Sequence, residues 1–226
     1  MHPNALLDSC SELLKQVLKF DHPADMVVSR HFREQRLGPR ERATVAETIY
    51  TVLRKKSLFT NLAQSGSGAL ERRLAILGFA HSQEALARVA GKTEQGVKDA
   101  RSFVRAALSP QELQWLDACE AVRPDELMEP HRHNLPEWLV APLQQQLGDD
   151  VWAFAQSMEQ AAPLDLRVNA LNAKRAEVQK ELADAGIAAE ATPYSPWGLR
   201  VQGKPALARL DAFTRGAIEV QDEGSQ

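Results

Sequence analysis

Two cysteines in 226 residues, Cys10 and Cys119, are too few and too far apart to build a disulfide framework or a zinc knuckle. Each falls inside a helical pattern, where a thiol reads as a small core residue. No apolar run approaches the roughly eighteen residues that a membrane-crossing helix requires. The opening Met1-His2-Pro3-Asn4 lacks the charged-then-apolar layout of a secretory signal. Together these absences predict a cytoplasmic protein without membrane association. A Gly-rich loop placed directly after a strand, the usual cradle for a nucleotide cofactor, is also missing: Gly66-Ser67-Gly68 follows a helical pattern and has no flanking strand.

What is present is ordinary in bulk and uneven in distribution. With 44% hydrophobic and 25% charged residues, the chain suits one large or two ordinary soluble domains, and two are expected. Residues 1–110 hold 17 Lys+Arg against 11 Asp+Glu, whereas residues 111–226 hold 10 against 19, so a half of net +6 precedes a half of net −9. A basic half joined to an acidic one is a mark of a nucleic-acid partner on the basic side.

The basic half reads as all helix. Leu6, Leu7, Cys10, Leu13, Leu14, Val17 and Leu18 recur at helical spacing from Ala5 to Phe20, and Asp21-His22-Pro23 breaks the pattern before a helix through Val27, Val28 and Phe32. Pro39 then sits where a first-turn proline does no harm, ahead of Ala43, Ala46, Ile49, Tyr50 and Leu53. Further helices are predicted over Leu58–Leu62, Leu70–Phe79 and Val97–Leu108, and another starts at Ser109-Pro110. Short connections and the absence of strand patterns or repeats predict a compact helical bundle over residues 1–122.

Arg30, Arg33, Arg36, Arg40 and Arg42 crowd the turn at Leu37-Gly38-Pro39, and Arg54-Lys55-Lys56 closes the third helix; these eight cations are expected to share one face. Arginine's planar fork suits phosphate oxygens. His31 and Phe32 could stack on an unpaired base, but Phe32 at helical spacing from Val28 is better placed as core. The bland alternative assigns Arg54, Lys55 and Lys56 to the helix C-terminus and pairs Glu34 and Glu41 with nearby arginines. Five arginines within thirteen residues around a turn favour phosphate binding.

Residues 123–135, rich in proline and polar side chains, read as a linker. His131 and His133 lack a third ligand and are expected to be surface histidines, not a metal site. Helices follow from Pro136 to about Leu147 and over Val151–Met158. The period-two run Leu164, Leu166, Val168, Ala170 predicts a half-buried strand whose other side carries Asp165, Arg167 and Asn169. Next come a helix over Ala173–Ala185, capped by Asn172 and closed by Gly186, and short strands at Ile187–Ala191 and Trp197–Val201. A small α+β layer within residues 136–226 is the expected result. The closing Val220-Gln221-Asp222-Glu223-Gly224-Ser225-Gln226 is a turn behind Ile218-Glu219-Val220, and such a turn leads into another element. The chain is therefore expected to be the amino-terminal portion of a longer protein, with Asp222 and Ser225 capping a helix that follows.

Four landmarks, in order, carry a family resemblance: Asn134-Leu135-Pro136-Glu137-Trp138-Leu139, Leu166-Arg167-Val168-Asn169, Pro196-Trp197-Gly198-Leu199-Arg200 and Val220 to Gln226. They resemble the RsmB/Sun family of RNA cytosine-C5 methyltransferases. Arg40-Glu41-Arg42 followed by Val45, Glu47, Tyr50 and Val52-Leu53-Arg54 resembles the NusB-like helical domain that ribosomal-RNA members carry at the amino end.

The resemblance implies a mixed, two-domain chain: an all-α NusB-like RNA-binding bundle, then helices leading into a small RRM-like, ferredoxin-like α+β connecting domain. A third domain binding S-adenosylmethionine is implied beyond Gln226 and is expected to pack on the connecting domain. In such enzymes a cysteine thiolate adds to C6 of the pyrimidine and makes C5 nucleophilic enough to accept the methyl group, so an exposed, acidic thiol is needed beside the base. Neither Cys10 nor Cys119 has the family's Pro-Cys setting, so no catalytic residue and no cofactor site are assigned within these residues.

Arg167 and Asn169 are candidates either to touch RNA or to brace the catalytic domain. The expected partner is RNA, ribosomal by the NusB-like half. Two other readings stay open: a stand-alone NusB-like antitermination adaptor, and a bundle whose basic turn docks an acidic protein.

Overall fold

The computed structural model describes residues 2–89, 91–159, 162–203 and 205–226. The described residues form two compact units, Met1–Glu159 and Gln160–Gln226. The first is helical. Helix α1 (Pro3–Val17) buries Leu6, Leu7, Cys10, Leu13, Leu14 and Val17 along one stripe, as the i, i+3, i+4 spacing dictates. After it come α2 (Ala24–Glu34), α3 (Pro39–Arg54) and α4 (Lys56–Ala63). Pro39 occupies the first turn of α3, and the Glu41 carboxylate accepts the Gly38 N–H at 2.7 Å.

Helix α5 (Leu70–Val89) is the centre of the unit, packed against α1, α3, α4 and α6 (Glu94–Arg105). It runs ten residues past the predicted end at Phe79. The extension carries few large apolar residues, so its periodicity is faint, yet Ser82 and Ala87 are buried. Its crossing with α3 is close: a Cβ on Gly78 would clash with the Val52 side chain and sit 3.1 Å from the Thr48 carbonyl oxygen. Helix α7 (Pro110–Ala121) is capped by Ser109 and Glu112 in reciprocal hydrogen bonds.

The stretch read as a linker is ordered onto α4. A 3-10 turn (Pro124–Glu126) and α8 (Glu129–Arg132) precede α9 (Glu137–Leu147) and α10 (Val151–Met158). His131 Nδ1 lies 2.9 Å from Ser57 Oγ, the Leu58 N–H donates to Asn134 Oδ1 at 3.0 Å, and Lys55 pairs with Glu159 at 3.0 Å. The unit therefore runs to Glu159, past the boundary that composition marks at 123–135.

The second unit is β1 (Leu164–Val168), α11 (Arg175–Asp184), β2 (Ala189–Ala191), β3 (Gly198–Val201), α12 (Asp211–Thr214) and β4 (Ile218–Val220). Its sheet is antiparallel throughout, in the order β2-β3-β1-β4. This β-α-β-β-α-β order is the ferredoxin-like arrangement. Leu166, Val168, Leu199, Val201 and Ile218 meet Val178 and Leu182 of α11 in one core. Two details differ from expectation. Helix α11 starts at Arg175, two residues late, because Asn172 does not cap it; the Asn172 amide donates instead to the Gly216 carbonyl at 3.3 Å. Asp165, placed on the outward side of β1, is buried, for reasons given below.

Replacing Gly78 with Ala is expected to overpack the α3–α5 crossing and destabilise the helical unit by about 1–3 kcal/mol, measured as a lower urea midpoint. A variant as stable as wild type would mean that the crossing relaxes without cost.

Candidate nucleic-acid interface

The five arginines around the α2–α3 turn fall into two groups. Arg30 donates to Gln16 Oε1 at 3.3 Å. Arg42 donates to the Leu37 carbonyl at 2.9 Å and lies over the Phe32 ring at 6.0 Å, so its side chain holds the turn. The side chains of Arg33, Arg36 and Arg40 are exposed and have neither hydrogen bond nor ion pair within the described residues. Phe32 packs on the core as expected. His31, like Phe32, offers no stacking platform: it is buried, 2.9 Å from Ser9 Oγ, and burial pushes its pKa below the usual histidine range. At neutral pH it is an uncharged core group.

Arg54, Lys55 and Lys56 lie at the far end of α3. At ~1.5 Å per residue, Arg40 and Arg54 are about 21 Å apart along the axis, beyond the ~8–10 Å over which charges feel one another at physiological salt. The eight cations therefore fall into two groups too far apart to reinforce one another's charge. The trio is also differently employed: Arg54 pairs with Glu47 at 2.7 Å, Lys55 is bound to Glu159, and Lys56 sits 4.9 Å from the centre of the Phe20 ring.

On the sheet, Arg167 contacts Glu219 at 3.5 Å and Gln221 at 3.4 Å, with its guanidinium 5.9 Å from the Trp197 ring. Asn169 accepts the Leu171 N–H at 3.1 Å and donates to the Gly216 carbonyl at 3.2 Å, which ties the end of β1 to the turn before β4. Beside them lies a charge network. Arg200 grips the buried Asp165 with two hydrogen bonds of 2.8 Å, and this pairing holds the carboxyl below the usual range. Glu223 accepts the Tyr194 and Ser195 N–H groups at 2.7 and 2.9 Å, and Gln226 accepts from Ser195 Oγ at 2.7 Å. The closing seven residues are thus folded onto the β2–β3 connection. Asp222 Oδ1 accepts the Gly224 N–H at 2.9 Å, capping the 3-10 turn Glu223–Ser225.

Residues 135–208 match the family described as Methyltr_RsmF/B-like, ferredoxin-like domain. The chain is 25% identical over 95% of its length to the Synechocystis sp. protein named "Probable ribosomal RNA small subunit methyltransferase B", and 26% identical over 85% to its Vibrio cholerae counterpart. The resemblance to RsmB-type rRNA methyltransferases holds. The chain spans about half the length of these relatives, 52% and 47%. The crystal structure of PH0851 shares the fold, with TM-score 0.60 over 98% of this chain and 53% of that one at 20% identity.

The cysteine chemistry of the resemblance has no counterpart in either thiol. Cys10 is wholly buried, and burial pushes its pKa up to about 12; burial also raises that of Cys119. A protonated, enclosed thiol is a poor nucleophile. The Gly66-Ser67-Gly68 loop does not fit S-adenosylmethionine. A Cβ on Gly66 would meet Arg73 at 2.7 Å and Trp115 at 2.8 Å, and Arg73 already donates to the Gly66 carbonyl at 2.8 Å. The Gly66 end of the loop is filled by its own neighbours, while Gly68 faces open space. His131 and His133 are half-buried instead of surface groups: His133 stacks on Trp152 at 5.4 Å and contacts Glu129 at 3.1 Å. Among the described residues no group of three or more His, Cys, Asp or Glu could hold a metal ion.

Arg200→Ala strands the Asp165 carboxylate and is expected to destabilise the sheet unit, read as a lower urea midpoint. Because the native Asp165 pKa is depressed, its contribution is complete above the unfolded value of about 3.9 and is lost as pH falls through the native value. Asp165→Asn should remove that part of the acid sensitivity. An unchanged acid limb would show that other carboxylates set it.

Proposed function

We propose that these 226 residues are the RNA-gripping part of an S-adenosylmethionine-dependent rRNA cytosine-C5 methyltransferase of the cytoplasm. The observation that carries this reading is the trio Arg33, Arg36 and Arg40, exposed on one turn without internal partners, in a chain similar to rRNA methyltransferases. Guanidinium groups held for no internal contact suit phosphate oxygens, and phosphate contacts position an RNA without reading its sequence. Arg30 and Arg42 flank the trio, while residues 1–122 act as the NusB-like RNA-binding part and 136–226 as the connecting part.

Methyl transfer then belongs to a further domain, which supplies the reactive cysteine and the S-adenosylmethionine pocket. The fully buried Cys10 and the closed Gly66 loop support that division. Leu171 and Tyr194 are 95% and 89% exposed, and Trp197 and Val220 are also open, so the sheet unit carries apolar surface for such a domain to cover. Arg167, between Glu219 and Trp197, braces that surface.

Replacing Arg33, Arg36 and Arg40 together with Ala should weaken binding of an rRNA helix-loop by at least about tenfold and lower the log–log salt slope by about 2–3. The melting temperature should fall by no more than about 3–6 °C, since exposed substitutions rarely exceed ~0.5 kcal/mol each. Binding that ignores salt, or a Tm that collapses with affinity, would defeat the proposal. In a radiolabelled methyl-transfer assay the 226-residue chain alone should stay at background; turnover by a pure sample would show the chemistry is wrongly allotted.

A further inference from the structure

The corner where α1 ends against α4 has features that the arginine turn lacks. A cleft of about 420 Å³ there is lined by Lys56, Thr60, Asn61, Gln64 and Asn134, among others. Ser57, Thr60, Asn61 and Gln64 recur at i, i+3, i+4 and i+7, so one side of α4 presents hydroxyl and amide groups to the cleft. Ser57 and Asn134 have partners inside the protein. The side chains of Thr60, Asn61 and Gln64 have none among the described residues.

Phe20 stands beside this stripe. It is 58% exposed, and the Lys56 ammonium that lines the cleft also lies 4.9 Å from its ring centre. Its backbone is left-handed, φ 56°, two residues beyond the Leu18 cap of α1, a conformation that glycine adopts without strain. Among the described residues only Phe20 and Asn134 combine a side chain with positive φ, and both border this corner. Bulky residues avoid that conformation, and where one persists without being buried the strain points to a function.

We infer that this corner binds a single-stranded stretch of RNA: a base stacks on Phe20, Lys56 moves from the ring to the adjoining phosphate, and the amides of Asn61 and Gln64 bond a neighbouring base edge in the cleft. Aromatic, cation and amide are the three groups that unpaired nucleotides engage. The inference rests on the RNA-binding reading but uses residues at the opposite end of α3 from Arg33, Arg36 and Arg40.

The test uses the 226-residue chain with two fluorescein-labelled probes, an unstructured RNA dodecamer and a blunt RNA duplex, and compares wild type, Phe20→Gly, the double variant Asn61→Ala/Gln64→Ala, and the arginine triple variant. Phe20→Gly should leave the Tm unchanged or raised, because glycine suits the backbone, while dodecamer affinity falls about tenfold and duplex affinity stays within about twofold. The double variant should follow the same pattern. Dodecamer binding within about twofold of wild type in both, with the arginine variant weakened on both probes, would overturn this site and leave the proposed function standing; the corner would then be a protein contact. A Tm that drops in step with affinity would make Phe20 structural and also overturn it. Failure of wild type to bind either RNA would remove both proposals.

Discussion

Helix α5 can lie against α3 at the observed depth only because residue 78 has no side chain. The gap is filled by Val52 and the Thr48 backbone, and the same crossing is tied by a 3.3 Å contact between Thr48 Oγ1 and Ser82 Oγ. From this seat α5 meets α1, α4 and α6, and buries Leu74, Ile76 and Phe79 almost completely. Close-packed interiors transmit shifts instead of absorbing them. Helix α3 is therefore a fixed strut, with the arginine turn at one end and the Lys56–Phe20 corner at the other.

In the sheet unit charge has the organising role that close packing has in the bundle. Asp165 would be costly to bury alone, and Arg200 makes it tolerable by filling both carboxylate oxygens. Glu223 then stands 3.8 Å from the same guanidinium while it collects two backbone N–H groups of the β2–β3 connection. Gly198 belongs to this arrangement as well, since a Cβ there would run into the Thr192 hydroxyl. Landmarks far apart in the chain, Leu166-Arg167, Pro196-Trp197-Gly198 and the closing Asp222-Glu223, are thus neighbours in one polar cluster.

Much of the architecture was legible in the sequence because it rests on apolar spacing. The stripe of α1, the first-turn Pro39, the cap at Ser109 and the left-handed Gly186 all appear where the pattern puts them. Side-chain partners were not legible, because they depend on what folds opposite. The spacing of Phe32 from Val28 marks it as core, but nothing local shows that His31 is buried on Ser9. Phe20, where the first helical pattern ends, is an exposed ring, and its only hint is an aromatic directly before Asp21-His22-Pro23. Asp165 sat on the outward register of β1, and nothing local announced that Arg200, opposite it on β3, would cover it. Nor could a run of cations reveal that a straight helix separates its members.

The depth of the two thiols has a practical side. Cys10 lies in the middle of the bundle and Cys119 at its margin, 0% and 7% exposed. A small alkylating reagent reaches the Cys10 sulfur only when the surrounding helices part, whereas Cys119 borders an open cleft, so the Cys10 labelling rate is the clock of a deep opening. A dye attached to an introduced surface cysteine would meet no competition from Cys10 while the bundle stays closed.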